Sequence, residues 1–331
     1  MSPLTWARRP AAHIEKPLRD ELLSTESLEG RALALAASLT LDPNPRRHPR
    51  DTFPRFEDNV RVLRVAYRTL AEDVRAGQFV VAAADWLLDN FHLVAAEISD
   101  IRRNLPRTYS RTLPTLASRE YAGDARVYAM AVELIRHSDS RLDRPMLLQF
   151  LNSFQRVAPL TIGELWAWPS MLKLALIENL RRLADEILEA RAARRKADEY
   201  VARVDQDRSL AFPPAEDTAF VVQLLHRVRE YGLGLSSIRV AVDDDLALRH
   251  TTAEETIRGE HQRQGVAQVS VANAVTSLRL CATLDWQDYV EAVSLVEQVL
   301  QRDPAGAYGR MDFLSRDQQR RAIEELSVER A

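Results

Sequence analysis

The chain has 331 residues, 46% of them apolar and 28% charged, with a formal net charge of −3. A balance so close to neutral sets up no strong field of either sign, so no nucleic-acid partner is expected and no pull toward anionic headgroups. The length suggests about two domains of roughly 150 residues each. Only 10 glycines are present, against a usual share of about 7%, and this favours helices over turn-rich β folds. Cys281 is the sole cysteine, so no internal disulfide forms, in keeping with a reducing compartment. The opening MSPLTWARRPAAHIEK has no apolar core of signal-peptide length. The most apolar stretches, Ala32–Leu41 and Phe79–Leu88, reach about half of the roughly 20 residues that span a bilayer. No transmembrane segment is expected in this chain.

Along the chain the apolar period stays near 3.6. Val60, Leu63, Tyr67, Leu70 and Val74 predict a helix over 55–76, with Gly77 as its C-terminal cap. Leu87, Phe91, Val94, Ile98, Ile101 and Leu105 predict one helix through 84–105, ended by Pro106. The stretch LPRTYSRTLPTLASREYAGD reads as a loop pinned by Tyr109 and Tyr121. Helices are predicted again over 126–136 and 145–157, the second capped by Asp143. Thr161 and Glu164 have capping-box spacing and start a helix that Pro169 should kink. Beyond Arg181 the charges crowd into a long helix read as largely solvated. AFPPAED, Ala211–Asp217, is the candidate boundary. Thr252 and Glu255 form a second box opening a helix to Leu280; Asp285 caps 286–300; Ser315 begins the cap of a last helix over 319–326.

Several residues invite a functional reading. Asp85, Asp89 and His92 share one flank of a helix and could together hold a metal. Their number is also what helical spacing gives by chance, and the preferred reading is structural. Asp89, Asn90 and His92 are expected to be a polar lock, with a buried Asn90 tied to the loop after Pro106. Val240–Asp245 ends in an Asp-x-Asp, the pattern with which many glycosyltransferases hold a divalent cation and a diphosphate. Ile238, Val242 and Leu246 equally fit a short helix, so Asp243 and Asp245 are only weak alternatives as metal ligands, and no metal is expected. Gln318–Arg321 matches part of a Gln-x-x-Arg-Trp motif, but Ala322 stands where the tryptophan belongs. Trp86 and Trp166 lie on apolar faces and are expected in the core. Trp86, Trp166, Trp168 and Trp286, with Tyr109, Tyr121 and Tyr128, could stack on sugar rings, though buried aromatics are commoner in helical cores, and Trp168 and Tyr109 are the ones expected at the surface. Cys281 sits in an apolar helix as an inert core thiol.

Six blocks read together: DNVRVLRVAYRTLAE, ADWLLDNFHLVAAEISDIRRNLPRTYSRTLPTLA, RVYAMAVELIRHSDSRLD, APLTIGELWAWPSMLKLALIENLRRLA, EHQRQGVAQVSVANAVTSLRL and VEQVLQRDPAGAYGRMDFLSRDQQRRAIEEL. In this order and spacing they resemble the N-terminal region of cyclic β-1,2-glucan synthases, very large bacterial inner-membrane proteins. The resemblance runs from about Pro17 to Leu326. It implies a helical region on the cytoplasmic face of the inner membrane. Membrane spans follow it in that family, with a processive transferase that uses UDP-glucose and, much later, a phosphorylase-like region. None of those catalytic motifs is present here, so no catalytic residue and no cofactor is carried over.

The expectation is therefore an all-α protein, a multi-helix bundle or array in two packed subdomains: 1–210, ordered from about 17, and 215–331, joined by a linker at 211–217. Its expected function is that of a non-catalytic scaffold or regulatory region of a cyclic β-1,2-glucan synthase. Its expected partners are the transferase and membrane domain of the same or a cognate synthase, and glucan. The alternative is a carbohydrate-processing enzyme or sugar-binding module in its own right.

Overall fold

The computed structural model describes residues 15–43, 52–117, 120–206, 212, 217–231 and 236–328. Among these residues the fold is all-α, as the periodicity predicts, with isolated bridges such as Leu41 to Leu116 in place of any sheet. The helices are α1 (Thr25–Ser38), α2 (Thr52–Arg75), α3 (Ala82–Asp89), α4 (Phe91–Asn104), α5 (Arg107–Ser110), α6 (Arg126–Ser138) and α7 (Arg144–Gln155). There follow α8 (Ile162–Gln206), α9 (Thr218–Tyr231), α10 (Ser236–Leu248), α11 (Ala253–Thr283), α12 (Trp286–Val293), α13 (Leu295–Leu300) and α14 (Phe313–Val328). No helix among the described residues is long and apolar enough to cross a membrane.

The helix ends obey the local chemistry of the sequence. Thr161 and Glu164 close a reciprocal box, Glu164 N–H donating to Thr161 Oγ1 at 3.1 Å and Thr161 N–H to Glu164 Oε2 at 2.9 Å. Thr252 and Glu255 do the same at 3.2 and 2.9 Å. Asp143 accepts from Met146 N–H at 2.8 Å, and Asp285 accepts from two amides of α12. Gly77 takes φ +65°, a left-handed cap that a side chain would strain. Two starts differ from expectation. The last helix begins at Phe313, because Asp312 rather than Ser315 is the cap and accepts from Ser315 N–H at 2.9 Å. The helix expected over 286–300 is interrupted at Ser294, whose hydroxyl caps α13 through Glu297 N–H.

The chain gathers into two compact units that interleave along the sequence. One comprises 15–17, Val62–Asp89 and Leu180–Ala272; the other comprises Leu18–Arg61, Asn90–Asn179 and Asn273–Ala331. Three of the divisions fall inside α2, α8 and α11, and one falls at the break between α3 and α4. The expected linker, 211–217, lies within the Leu180–Ala272 stretch and, apart from Phe212 and Asp217, outside the described residues.

In the first unit the charge-rich half of α8 is not a solvated helix. Ala193, Ala197, Tyr200, Val201 and Val204 recur at helical spacing and are buried against Phe220, Leu224 and Val228 of α9 and Ile238, Val242 and Leu246 of α10. The small alanines permit close approach, while Arg195, Lys196 and Glu199 between them stay exposed. Arg191 adds a forked ion pair to Asp73 of α2.

In the second unit α8 is buried from Ser170 to Asn179. Helix α7 packs on α1 and α12, and α6 packs on α1. A helix enclosed on every side must pair its polar groups internally, because an unpaired buried one costs about 1–3 kcal/mol. Each polar residue in this stretch of α8 that carries charge or an amide does so. Lys173 Nζ lies 2.6 Å from both Glu97 and Asp100. Glu178 accepts from Tyr128 Oη at 2.5 Å and pairs with Arg55. Asn179 accepts from Leu18 N–H at 2.6 Å and donates to Ser140 Oγ at 2.9 Å.

Candidate functional site

The second unit holds a cleft of about 500 Å³, within the roughly 300–1,000 Å³ usual for small-ligand sites. Its floor is the first half of α8, with Ile162, Gly163, Trp166, Pro169, Ser170 and Lys173. One wall is Asp100 and Asn104 of α4 with Tyr109 of α5. The other is Trp286 of α12 with Arg321 and Glu324 of α14. These come from sequence positions as distant as 100 and 324, which is why periodicity alone did not assemble them.

Three aromatic side chains, Tyr109, Trp166 and Trp286, face the cleft, each half-buried. Tyr109 Oη donates to Gly163 O at 2.5 Å, so the segment after Pro106, which was expected as a loop and carries the short helix α5, is pinned to α8 at Tyr109. Burial pushes the Tyr109 phenol up to about 12. Trp166 Nε1–H donates to Asp317 Oδ1 at 3.2 Å, and its ring meets Phe313 edge to face at 5.8 Å. Trp286 Nε1–H donates to Cys281 O at 2.8 Å. With their N–H and O–H groups held, the rings are fixed in orientation.

The charges of the cleft are paired within the protein. Burial works to lower the Lys173 ammonium, but hydrogen bonds and charges from Asp100 and Glu97 outweigh it and hold its pKa above the ordinary value. Burial likewise raises Asp100, and the Lys173 contact overcomes it and keeps that carboxyl below the usual range. Arg321 Nε lies 2.9 Å from Asp317. Glu324 accepts from the first N–H of α8, Ile162, at 3.1 and 3.2 Å. Burial, with Glu164 nearby, raises the Glu324 carboxyl above the usual value.

Of the aromatics singled out in the sequence, Tyr109 and Trp286 reach this cleft and Trp168 does not. Trp168 is fully buried and stacks on Phe150 of α7 at 6.4 Å, and it is not among the residues that line the cleft. Trp166, expected in the core, lines the cleft instead, and Trp86 is 40% exposed. The single helix expected over 84–105 is two, broken at Asn90, where the backbone turns with φ −104° and ψ 8°. Asn90 is half-buried rather than buried, and Asp89 and His92 are exposed. Asn90 Oδ1 accepts from Arg279 at 3.2 Å.

Asp243 and Asp245 lie on α10, each held by an arginine four residues away: Arg239 at 2.8 Å and Arg249 at 3.0 Å. Arg320, from the Gln-x-x-Arg fragment, is a buried side chain that donates to Glu297 at 2.5 Å and to Glu291 at 3.2 Å. Both fragments are thus built into helices as ion pairs. Among the described residues no three metal-ligating side chains gather. The first unit also carries a broad depression of about 660 Å³ beside Phe79 and Arg227. Among the described residues no indole or phenol lines it, so the aromatic cleft is the stronger candidate.

No family model matches the chain. Over 321 residues, 94% of this chain, it is 33% identical to cyclic beta-(1,2)-glucan synthase NdvB of Rhizobium meliloti (strain 1021). The chain spans only 11% of that protein's length. The resemblance read from the six blocks therefore extends across almost the whole chain, to one part of a much larger synthase.

Proposed function

We propose, from this kinship, that the chain is a non-catalytic scaffold or regulatory region in cyclic β-1,2-glucan synthesis. It docks on the transferase and membrane domain of the same or a cognate synthase, at the cytoplasmic face of the inner membrane. The observation that carries the reading is the asymmetry of the match: 94% of this chain against 11% of the relative. A region so small relative to the relative serves a larger machine. The helical setting of the two fragments that resemble transferase motifs supports the non-catalytic part. A nucleotide-sugar site needs a cation held by carboxylates free to ligate it, and Asp243 and Asp245 are already paired with arginines one helical turn away.

The test compares membranes carrying full-length synthase with membranes carrying synthase that lacks the matching region. Glucan made from UDP-glucose is measured in each. The expected result is reduced or mis-sized product without the region, and no turnover of UDP-glucose by this chain alone. Turnover by the isolated chain would overturn the non-catalytic reading. Unchanged synthesis after the deletion would overturn the regulatory one. The second reading, a sugar-binding module, is favoured by the three aromatics of the cleft.

A further inference from the structure

We propose that the cleft between α4, α5, α8, α12 and α14 is a binding site for an uncharged carbohydrate chain, a β-1,2-linked gluco-oligosaccharide. A phosphate or nucleotide needs an unshared cation or a helix N-terminus open to an anion. Neither is offered here. Lys173 is clasped between Glu97 and Asp100, and Arg321 is paired with Asp317. The N-terminus of α8 is already covered by a carboxylate of the protein itself, Glu324, through Ile162 N–H. Around the two lining cations stand four carboxyl groups, Glu97, Asp100, Asp317 and Glu324. Such a site repels polyanions and does not need a charged ligand.

It does suit a polyol. The pyranose ring of a β-linked glucan carries C–H groups on its faces and hydroxyls at its rim. The C–H faces bear partial positive charge and settle on the negative face of an indole or phenol. Trp166, Trp286 and Tyr109 supply such surfaces from three separate helices, each held by its own hydrogen bond. The hydroxyls need donors and acceptors of fixed direction. Arg321, 61% exposed, keeps N–H groups beyond its pairing with Asp317, and the carboxylates around it accept. The three rings and the paired charges are set in place by contacts within the protein, so binding has little ordering to impose.

The choice of the β-1,2 linkage rests on the proposed role in glucan synthesis; the choice of a neutral saccharide rests on the cleft alone. The experiment titrates the full chain with linear β-1,2-gluco-oligosaccharide, with cellohexaose, and with UDP-glucose plus Mg²⁺, read by calorimetry and tryptophan fluorescence. The expected result is saturable binding of the β-1,2 chain with a change in tryptophan emission, little affected by salt, and weaker or absent binding of the other two. Trp286→Ala and Arg321→Ala should each weaken it about tenfold or more. Arg321 is exposed, so its variant should keep the wild-type melting temperature even where Trp286→Ala disturbs packing. No binding of any saccharide would overturn the site, as would wild-type affinity in both variants. Tighter binding of UDP-glucose would overturn its neutral character, and equal affinity for cellohexaose would overturn the linkage. Loss of the site with synthesis still dependent on the region leaves the scaffold role standing. Saccharide binding by a region dispensable for synthesis leaves the site standing without that role.

Discussion

Arg126 and Glu164 form a forked ion pair shut away from solvent. Nε and Nη2 of Arg126 donate to the two oxygens of Glu164 at 2.8 and 2.5 Å, with side chains 7% and 0% exposed. The same glutamate closes the capping box of α8, so one carboxylate both starts that helix and ties it to α6. Arg126→Ala leaves this carboxylate buried and without its cation. It should cost about 3–5 kcal/mol, the usual penalty for breaking a buried pair. Replacing both, as Arg126→Met with Glu164→Leu, should cost less than the single change despite losing the cap. Urea midpoints decide it, and a single variant as stable as wild type would remove the pair from any structural role.

Acid should find Glu133. Burial raises its carboxyl, but hydrogen bonds from Tyr121 and Arg31 and the charges of Arg136 and Arg31 outweigh it and hold the pKa below the ordinary 4.5. A depressed carboxylate contributes stability that is fully present above the unfolded value and is lost as pH falls through the folded one. Urea unfolding followed from neutral pH down through 4.5 should therefore show declining stability. Glu133→Gln should be less stable at neutral pH and show a shallower acid limb. A variant with an undiminished slope would place the acid sensitivity elsewhere.

Cys281 should be chemically silent in the folded protein. It is 1% exposed, and burial pushes its thiol up to about 12. At neutral pH the reactive thiolate is scarce and the sulfur unreachable. A chromogenic disulfide reagent should react at the rate of unfolding in buffer and at once in urea. Prompt labelling of native protein is the contrary result.

The Asp-x-Asp fragment should be dispensable. Exposed i,i+4 ion pairs contribute about 0.3–0.5 kcal/mol each, so Asp243→Ala with Asp245→Ala should lower stability by about 1 kcal/mol or less. Calorimetry with UDP-glucose and Mn²⁺ or Mg²⁺ should show no micromolar site in either protein. Tight binding that the double variant abolishes would restore the enzyme reading.

At the break between α3 and α4, the hydrogen bond between Asn90 and Arg279 should contribute about 0.5–1.5 kcal/mol, read as the coupling between Asn90→Leu and Arg279→Ala in a double-variant cycle. The double variant should therefore cost less than the sum of the two single changes by about that amount. Additive losses would show that Asn90 acts through other contacts.

What could be read along the chain was local. Capping at Thr161, Thr252, Asp143 and Asp285, the left-handed Gly77 and the apolar stripes each depend on residues within one or two turns, and all were legible. The α class followed from those stripes, and the resemblance to a glucan synthase followed from the order of whole blocks. The same stripes misled wherever a helix had more than one neighbour. Trp166 and Trp168 stand two residues apart, and periodicity assigned the first to the core and the second to the surface. The structure reverses them: Trp166 lines the cleft, while Trp168 is packed on Phe150 of α7. Lys173, Glu178 and Asn179 interrupt an apolar run, which was the available signal that this helix carries buried pairs. Their partners, from Leu18 to Ser140, were not readable from spacing. A helix face is fixed by its own sequence, but how many faces are covered, and by whom, depends on long-range packing. The interleaved units and the gathering of Tyr109, Trp166, Trp286 and Arg321 around one cleft were decided there.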